Sequence, residues 1–422
     1  MKLPVRYQLS TIKHGVRILV AFALIGSPLL PAQRLNTIHA FAGKPRDGGG
    51  PNALFSDSSG DLYGTTAYGG RTGNGTIFRL DTSGHESILY NFKGQPDGSD
   101  PQALVRDAAG NLYGVDRVGG KFNAGTVFRL AAAGKESSIY TFTGQTDGLN
   151  PSSLIQGPTH ELIGTTVWGG AAGLGSVFIV TPSGKETVLY SFQGGSDGIY
   201  PFSSVVRDPD GNLYGTTAYG GTGNGAACNP RFGCGTAYKI SKDGTETILY
   251  NFGSTSNDGV VPFAGLVRDE NGNLFGTTSS GGAGQICGEI YACGTVFRLS
   301  PPKSKNGKWT ETILYSFTGG SDGGDPGNIL RDSSGNINGT TATGGTHGFG
   351  TLFRLGQDGK KIVLYNFTGI HDGGVPLGAL VQNSAGEFYG ATGIGGNPDC
   401  NQQLSIADPT AKGCGTVFQF MP

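Results

Sequence analysis

The six cysteines are the residues whose spacing most clearly predicts chemistry, because they form three pairs in equivalent segments of the chain. Each pair lies between a Gly-Gly and a Gly-Thr dipeptide, and its second member directly precedes the Gly-Thr. The distance from the second Gly of the Gly-Gly to the Gly that precedes the third strand is 14, 12 and 19 positions in the three segments with a cysteine pair. In the four segments without a pair this distance is five positions. We therefore predict three disulfides, each closing one loop: Cys228–Cys234, Cys287–Cys293 and Cys400–Cys414. The Cys-x5-Cys spacing and the absence of His from these segments disfavour zinc.

A second set of residues breaks an otherwise regular pattern. Asp116 and Arg117 stand where equivalent segments have Thr and a small residue. The position before the Gly-Gly is aromatic in three segments, as Tyr68, Trp168 and Tyr219. Flat rings and one charged pair on a rigid scaffold are typical of ligand recognition, so we take these five residues as candidate ligand contacts. The alternative explanation is that these residues are differences between the repeats that have no functional role.

The sequence shows no catalytic constellation. The six histidines are scattered, and none lies at a recognisable spacing from a Ser or Cys nucleophile. No nucleophile elbow, phosphate-binding loop or His-x-x-x-His pair occurs. We therefore predict no catalytic residues, no cofactor and no metal ligands. An Asp-Gly dipeptide recurs seven times, and two interpretations of its carboxylates remain. Each Asp side chain either forms a hydrogen bond within a turn between two units, or the seven carboxylates form a ring that binds cations.

These residues are positioned by a repeat that covers nearly the whole chain. Its consensus begins Pro-x-x-Leu-Val-x-Asp-x-x-Gly-Asn-Leu-Tyr-Gly-Thr-Thr, and its seven copies start at Pro51, Pro101, Pro151, Pro201, Pro262, Pro326 and Pro376. In the second copy, short apolar runs separated by Gly, Asn and Asp predict strands at 103–106, 112–115, 126–130 and 137–142. Four antiparallel strands at a period near 50 are typical of a propeller blade.

The two ends of the repeat region indicate a closed ring. The last copy stops after its third strand, at 415–420, and the missing fourth strand is found at 36–41. Pairing these segments would protect edges that otherwise stay open. We predict an all-β fold, a single seven-bladed β-propeller over residues 33–422, closed by the N-terminal strand.

Residues 1–32 lie outside the repeat and resemble a secretory signal peptide. Four cations precede the apolar run 18–25, which is too short for a transmembrane helix. Removal of this segment would change the net charge from −1 to about −5. We predict a secreted or periplasmic protein, a monomer without membrane insertion and without a nucleic-acid partner. An uncleaved N-terminal anchor is the alternative.

The phrases Asp-x-x-Gly-Asn-Leu-Tyr-Gly-Thr-Thr, Tyr-Gly-Gly, Gly-Thr-Val-Phe and Leu-Tyr-x-Phe-x-Gly-x-x-Asp-Gly resemble the tandem repeat called Gloeo-Verruco, or GloVer. The resemblance implies a bacterial exported repeat protein and points to no particular reaction. The chain is also similar to kelch propellers in its period and its diglycine, but the downstream Trp of kelch blades is absent, since the only tryptophans are Trp168 and Trp309. This second likeness bears on the fold alone.

Three classes of function fit these observations. A binding module for a cell-surface glycan or a protein is favoured, because no acid, base and nucleophile occur together in the sequence. The alternatives are an extracytoplasmic lyase or hydrolase, whose groups would be scattered over several blades, and a structural envelope protein.

Overall fold

The structure is a computed structural model that describes residues 34–45, 47–225, 227–283, 293–304, 307–376, 378–400 and 412–422. The described residues form strands and turns and no helix. Seven four-stranded antiparallel sheets make up the blades of a β-propeller, as the repeat predicts. The proposed leader at residues 1–32 lies outside the described residues.

In the first three blades the first strand is uninterrupted, and equivalent strands have nearly the same length. After β1 (Arg34–Ala40), blade 1 contains β2 (Gly48–Ser56), β3 (Leu62–Gly69), β4 (Thr76–Leu80) and β5 (Glu86–Asn91). Blade 2 contains β6 (Gly98–Arg106), β7 (Leu112–Gly119), β8 (Thr126–Leu130) and β9 (Glu136–Thr141). Blade 3 contains β10 (Leu149–Gln156), β11 (Leu162–Trp168), β12 (Ser176–Val180) and β13 (Glu186–Ser191).

In blades 4 and 5 the first strand is interrupted, and its start forms a separate two-residue ladder. Blade 4 contains β14 (Gly198–Ile199), β15 (Val206–Arg207), β16 (Leu213–Thr217), β17 (Tyr219–Gly220), β18 (Thr236–Ile240) and β19 (Glu246–Asn251), with β14 paired to β17. Blade 5 contains β20 (Gly259–Val260), β21 (Val267–Arg268), β22 (Leu274–Thr278), β23 (Ser280–Gly281), β24 (Thr295–Ser300) and β25 (Thr310–Ser316), with β20 paired to β23.

The last two blades complete the ring. Blade 6 contains β26 (Gly324–Arg331), β27 (Ile337–Thr343), β28 (Thr351–Leu355) and β29 (Lys361–Asn366). Blade 7 contains β30 (Val381–Gln382), β31 (Phe388–Thr392) and β32 (Thr416–Met421), and β1 is its fourth strand. The antiparallel register of β1 and β32 runs from Arg34 opposite Met421 to Ala40 opposite Thr416. Ring closure by the N-terminal strand is therefore confirmed.

The first strand of the early blades is longer than the sequence predicts. In blade 2 it begins at Gly98 and passes through Pro101, which pairs with Asp116 before a register shift at Ala103. A Pro cannot donate a ladder hydrogen bond, but the first strand is the edge of its sheet, where that loss is tolerated. The strand bounds expected at 103–106 therefore cover only the part of the strand after the bulge.

Aromatic residues pack each blade against the next. The Phe of the Leu-Tyr-x-Phe phrase meets the aromatic residue of the third strand in the following blade, with ring centroids 5.0–5.2 Å apart at all seven contacts. The Gly of Leu-Tyr-Gly makes room for this ring, since a Cβ at Gly64 would lie 2.4 Å from Phe78 Cζ. The most regular phrases of the repeat thus encode contacts between blades.

The recurring Asp of the Asp-Gly set has a structural role. In six junctions its carboxylate accepts a hydrogen bond from the Tyr of Leu-Tyr-x-Phe, at 2.9–3.0 Å. A backbone N–H four residues earlier donates to the same carboxylate, as from Thr143 to Asp147 at 2.7 Å. In the seventh junction His39 replaces the Tyr and lies 3.1 Å from Asp47. The set therefore fixes the links between blades.

Candidate ligand-binding face

One face of the ring, here called the loop face, contains the links between blades and the loops between second and third strands. The start of each first strand and the end of each second strand meet there, as in the pairs Gly98–Gly119 and Leu149–Trp168. The candidate residues before the Gly-Gly occupy this end of the second strand. Side chains at these positions are thus carried by paired backbone and not by free loops.

Six aromatic side chains from blades 3, 4 and 5 form one continuous cluster on the loop face, here called the aromatic face: Trp168, Tyr200, Phe202, Tyr219, Phe232 and Phe263. The rings of Trp168 and Tyr200 have centroids 4.1 Å apart, and Tyr200 contacts both Tyr219 and Phe232 at 6.3 and 6.4 Å. Phe263 links the cluster to blade 5, through Tyr219 at 6.2 Å and Phe202 at 5.0 Å.

The aromatic face is open to solvent, in contrast to the buried rings between blades. Trp168, Phe232 and Phe263 are exposed by 38%, 37% and 40%, and they are half of the large hydrophobic side chains that are exposed in the described part of the chain. Large apolar side chains normally occur on a surface singly, whereas contiguous exposed patches mark binding sites. The clustering of these rings in three adjacent blades is therefore the main functional signal of the structure.

Tyr200 occupies a backbone position that disfavours its side chain. The residue before the recurring Pro has a left-handed conformation in every copy, at Gly50, Asp100, Asn150, Tyr200, Val261, Asp325 and Val375, with φ between 53° and 62°. The N–H at this position donates to the preceding blade, as from Tyr200 to Leu174 O at 2.9 Å. Gly, Asp and Asn adopt this conformation most readily, and a Tyr there costs about 1–2 kcal/mol. Val261 and Val375 share this strained position in other copies, so what distinguishes Tyr200 is the contact of its ring with Trp168, Tyr219 and Phe232.

Phe232 is held in place although it is exposed. The Cys228–Cys234 disulfide, with Cα atoms 4.7 Å apart, closes the loop that carries it. Asn229 Oδ1 accepts hydrogen bonds from the N–H groups of Arg231 and Phe232, at 2.9 and 3.0 Å. The Arg231 guanidinium lies 5.3 Å from the Phe232 ring centroid. This loop therefore presents an aromatic ring and a cation in a fixed arrangement.

The predicted disulfides are confirmed in two of three loops. Cys228–Cys234 and Cys400–Cys414 are bonded within their own loops, as their spacing predicts. The third predicted pair, Cys287–Cys293, includes Cys287, which lies outside the described residues.

Tyr68 is on the loop face but separate from the aromatic face. Its ring lies against the backbone of Gly49 and Gly50, so that a Cβ at Gly49 would lie 2.3 Å from Tyr68 Cε2. Burial raises the pKa of Tyr68 to about 12. The Tyr68 hydroxyl is buried without a hydrogen-bond partner. Tyr68 is therefore a packing residue of blade 1 in this structure.

The charged pair of blade 2 is divided between the interior and the surface. Asp116 is only 1% exposed and accepts a hydrogen bond from Thr126 Oγ1 at 2.6 Å. The other blades have a Thr at this position, as in the Thr66–Thr76 hydroxyl pair at 2.9 Å. Burial raises the pKa of Asp116 well above its ordinary value, so this side chain belongs to the blade interior. Arg117 alone reaches solvent, with Nη1 3.9 Å from Asp100 Oδ2.

The sequence comparison between copies found Trp168 and Tyr219 but missed the other four members of the aromatic face. Tyr200 and Phe202 flank the recurring Pro, and Phe263 follows it, so an alignment of these two positions would have shown them. Phe232 has no equivalent in the shorter loops. Of the five candidate contacts, the structure brings together only Trp168 and Tyr219.

Comparison with known families agrees with the repeat. The family model described as the Gloeobacter/Verrucomicrobia repeat matches residues 50–291, more than half of the chain. The chain belongs to this family. The search among curated proteins found no match.

Solved structures similar to this Gloeobacter/Verrucomicrobia repeat protein share its fold. A streptogramin B lyase is 15% identical, with a TM-score of 0.57, over 92% of this chain and 97% of the other. A catalytically inactive virginiamycin B lyase from Staphylococcus aureus with quinupristin is 14% identical, with a TM-score of 0.58, over 92% of this chain and 99% of the other. At these identities the likeness concerns the architecture alone.

Within this Gloeobacter/Verrucomicrobia repeat protein, the aromatic face combines three kinds of contact. Its rings offer flat apolar surface, the hydroxyl groups of Tyr200 and Tyr219 can donate or accept hydrogen bonds, and Arg231 supplies a cation at its edge. Such a surface can hold a ligand by stacking and hydrogen bonding without any covalent step.

Proposed function

We propose that the protein is a rigid binding module whose ligand lies on the aromatic face of blades 3–5. The observation that carries this proposal is the contiguous cluster of six rings, three of them more than a third exposed, on a scaffold that fully buries the Phe rings between its blades. The Cys228–Cys234 disulfide supports it, because it closes the loop that carries the exposed Phe232 ring and so holds that ring in the cluster.

The chemistry of the cluster favours a carbohydrate ligand. Sugar rings present apolar C–H faces together with hydroxyl groups, which match rings that carry phenol hydroxyls. An apolar protein segment is the second candidate, since aromatic residues and Arg also dominate protein interfaces.

The proposal places the protein outside the cytoplasm. The two loop disulfides support an oxidising compartment, and the sequence of residues 1–32 supports export by a signal peptide, with residues 33–422 as the ring. No helix in the described part of the chain is long and apolar enough to span a membrane.

The test is a glycan array probed with purified protein that lacks residues 1–32, followed by calorimetry with the best glycan. Trp168→Ala removes the exposed ring at the blade 3 end of the cluster. Tyr200→Asn removes the second ring and installs the residue that blade 3 uses at the same position, Asn150, which tolerates the left-handed backbone. Each variant should lower affinity at least about fivefold, if stacking of a ligand on an aromatic ring contributes the roughly 1–3 kcal/mol known for base stacking.

Phe122→Ala is the matched control. Phe122 is a large apolar residue of the loop face, exposed by 51%, in blade 2 and outside the cluster. This variant should bind normally. Unchanged affinity in both Trp168→Ala and Tyr200→Asn would contradict the proposal, and cleavage of the bound glycan would instead favour the lyase or hydrolase alternative.

A further inference from the structure

The junction that closes the ring lacks the Tyr that the other six share. At those six junctions a Tyr on the fourth strand donates its hydroxyl proton to the recurring Asp. In blade 7 the fourth strand is β1, and the equivalent residue is His39. A phenol that donates its proton to the Asp is thus replaced by an imidazole, whose neutral form offers a nitrogen lone pair to a metal ion.

His39 faces two carboxylates that come from different parts of the chain. Its Nε2 atom lies 3.1 Å from Asp47 Oδ2, in the link to blade 1, and 3.7 Å from Glu86 Oε2, at the start of β5. In the described part of the chain this is the one group of at least three His, Cys, Asp or Glu side chains whose ligand atoms lie within 4.8 Å of one another. The cluster joins the N-terminal strand to the first blade.

These distances fit a small transition-metal ion. Bonds of about 2.0–2.1 Å in tetrahedral geometry place ligand atoms about 3.3–3.4 Å apart, and the two measured separations bracket that value. Asp47 Oδ1 accepts hydrogen bonds from the N–H groups of Ala42 and Gly43, at 2.7 and 2.9 Å, so the carboxylate is oriented with Oδ2 toward His39. Such outer contacts orient ligands in known metal sites.

The charges of the cluster also favour a cation. A neutral imidazole can donate at most one hydrogen bond through Nε2, so it cannot satisfy both carboxylates. Glu86 Oε1 is buried without a hydrogen-bond partner, as are the Oε1 atoms of Glu186, Glu246 and Glu311 at other junctions, so the imidazole is the feature that distinguishes this cluster. Asp47 and Glu86 are both largely buried and both face the same imidazole nitrogen, so one divalent ion between them could bind all three side chains.

We propose that His39, Asp47 and Glu86 bind a divalent transition-metal ion that links the N-terminal strand to blade 1. The remaining coordination position is available to water, because the three side chains keep 11–18% of their surface exposed. The ion stabilises the closed ring by cross-linking the N-terminal strand to blade 1. This role is independent of the aromatic face.

The experiment uses tag-free, metal-stripped protein without residues 1–32 and Zn²⁺ alone as the probe. Calorimetry and elemental analysis should find one zinc per chain, and zinc should raise the melting temperature. His39→Tyr installs the residue of the other six junctions, so it should fold normally and lose both zinc binding and the zinc-dependent rise in melting temperature.

A matched pair of glutamate variants keeps the test decisive if His39→Tyr folds poorly. Glu86→Gln removes one ligand and should weaken zinc binding at least about tenfold. Glu186→Gln makes the same change at the junction of blades 2 and 3 and should leave zinc affinity unchanged. The proposal is overturned if the unmodified protein takes up no zinc, or if His39→Tyr or Glu86→Gln binds zinc as the unmodified protein does.

Discussion

The junctions between blades and the aromatic face of blades 3–5 use the same residue types for opposite purposes. At the junctions, Phe and Tyr recur in every blade or nearly so, and the Phe rings are fully buried. On the aromatic face, Trp, Tyr and Phe occur in adjacent blades only, and half of the rings are exposed. The difference shows that the aromatic residues repeated in every copy belong to the scaffold, whereas the exposed rings of the aromatic face are confined to three adjacent blades.

The same distinction applies to charged residues. At six of the seven junctions the recurring Asp accepts hydrogen bonds from a Tyr hydroxyl and a backbone N–H, as at Asp147. Arg231 and Arg117 occur once each in their positions and reach solvent from the loop face. The comparison between scaffold residues and residues of the aromatic face can be tested at three places: the closure of the ring, the packing of the aromatic rings, and the carboxylates at the junctions.

The largest effect is expected where the scaffold closes. Deleting residues 33–42 removes β1 and the fully buried Phe41, so it leaves β32 as an unpaired edge. The loss should exceed the roughly 3–5 kcal/mol of a single buried Phe, and we expect aggregation or a large fall in melting temperature. Size-exclusion chromatography and thermal unfolding measure this, and an unchanged melting curve would contradict the closed ring.

A pair of substitutions in blade 3 compares the two kinds of aromatic residue directly. Phe178 is fully buried against Phe142, and Phe178→Ala should lower the free energy of unfolding by about 3–5 kcal/mol. Trp168→Ala on the aromatic face should change it by less than about 1 kcal/mol. Urea unfolding of both variants decides the point. Similar losses in the two variants would assign Trp168 to the scaffold.

The smallest effect concerns the glutamates beside the junction carboxylates. Burial, and then the charge of Asp147 or Asp197, raises the pKa of Glu186 and Glu246 to about 7. The folded state therefore binds these protons more tightly than the unfolded chain, whose glutamates titrate near pH 4.5. This contribution to stability is complete below about pH 4.5 and is lost as the pH rises through 7.

We accordingly expect the melting temperature to fall by a few degrees between pH 5 and pH 8. The double variant Glu186→Gln with Glu246→Gln should reduce this fall, because an amide does not titrate. A pH dependence that is identical in the variant and the unmodified protein would show that these junctions are already solvated.

The fold follows from the sequence to an unusual degree because the same signals occur seven times. The consensus identifies four strands, and the split of the last blade between residues 36–41 and 415–420 predicts how the ring closes. The early start of β6 was missed, since Pro101 reads as a strand boundary although the edge position of β6 tolerates it. The interruption of the first strand in blades 4 and 5 has no clear signal in the consensus.

The candidate site was predictable only where equivalent positions can be compared. When the seven copies are aligned, Trp168 and Tyr219 differ from the other residues at the position before the Gly-Gly. Tyr200 differs in the same way at the position before the Pro. Phe232 could not be predicted, because the conformation of its loop depends on the Cys228–Cys234 disulfide and on Asn229. Tyr68 and Asp116 deviate from the consensus as well. Whether such a side chain points outward or inward depends on its packing, which an alignment of the copies does not show.

The pairing of β1 with β32 has a consequence for the order of assembly. Arg34 pairs with Met421, so β1 finds its partner strand only when the chain has been made as far as β32. Blades 1–6 can each form from neighbouring segments, whereas blade 7 requires a loop that includes the entire ring. Contacts at such sequence separation form slowly, and the last step of folding should therefore be the docking of β1, after the other blades have formed.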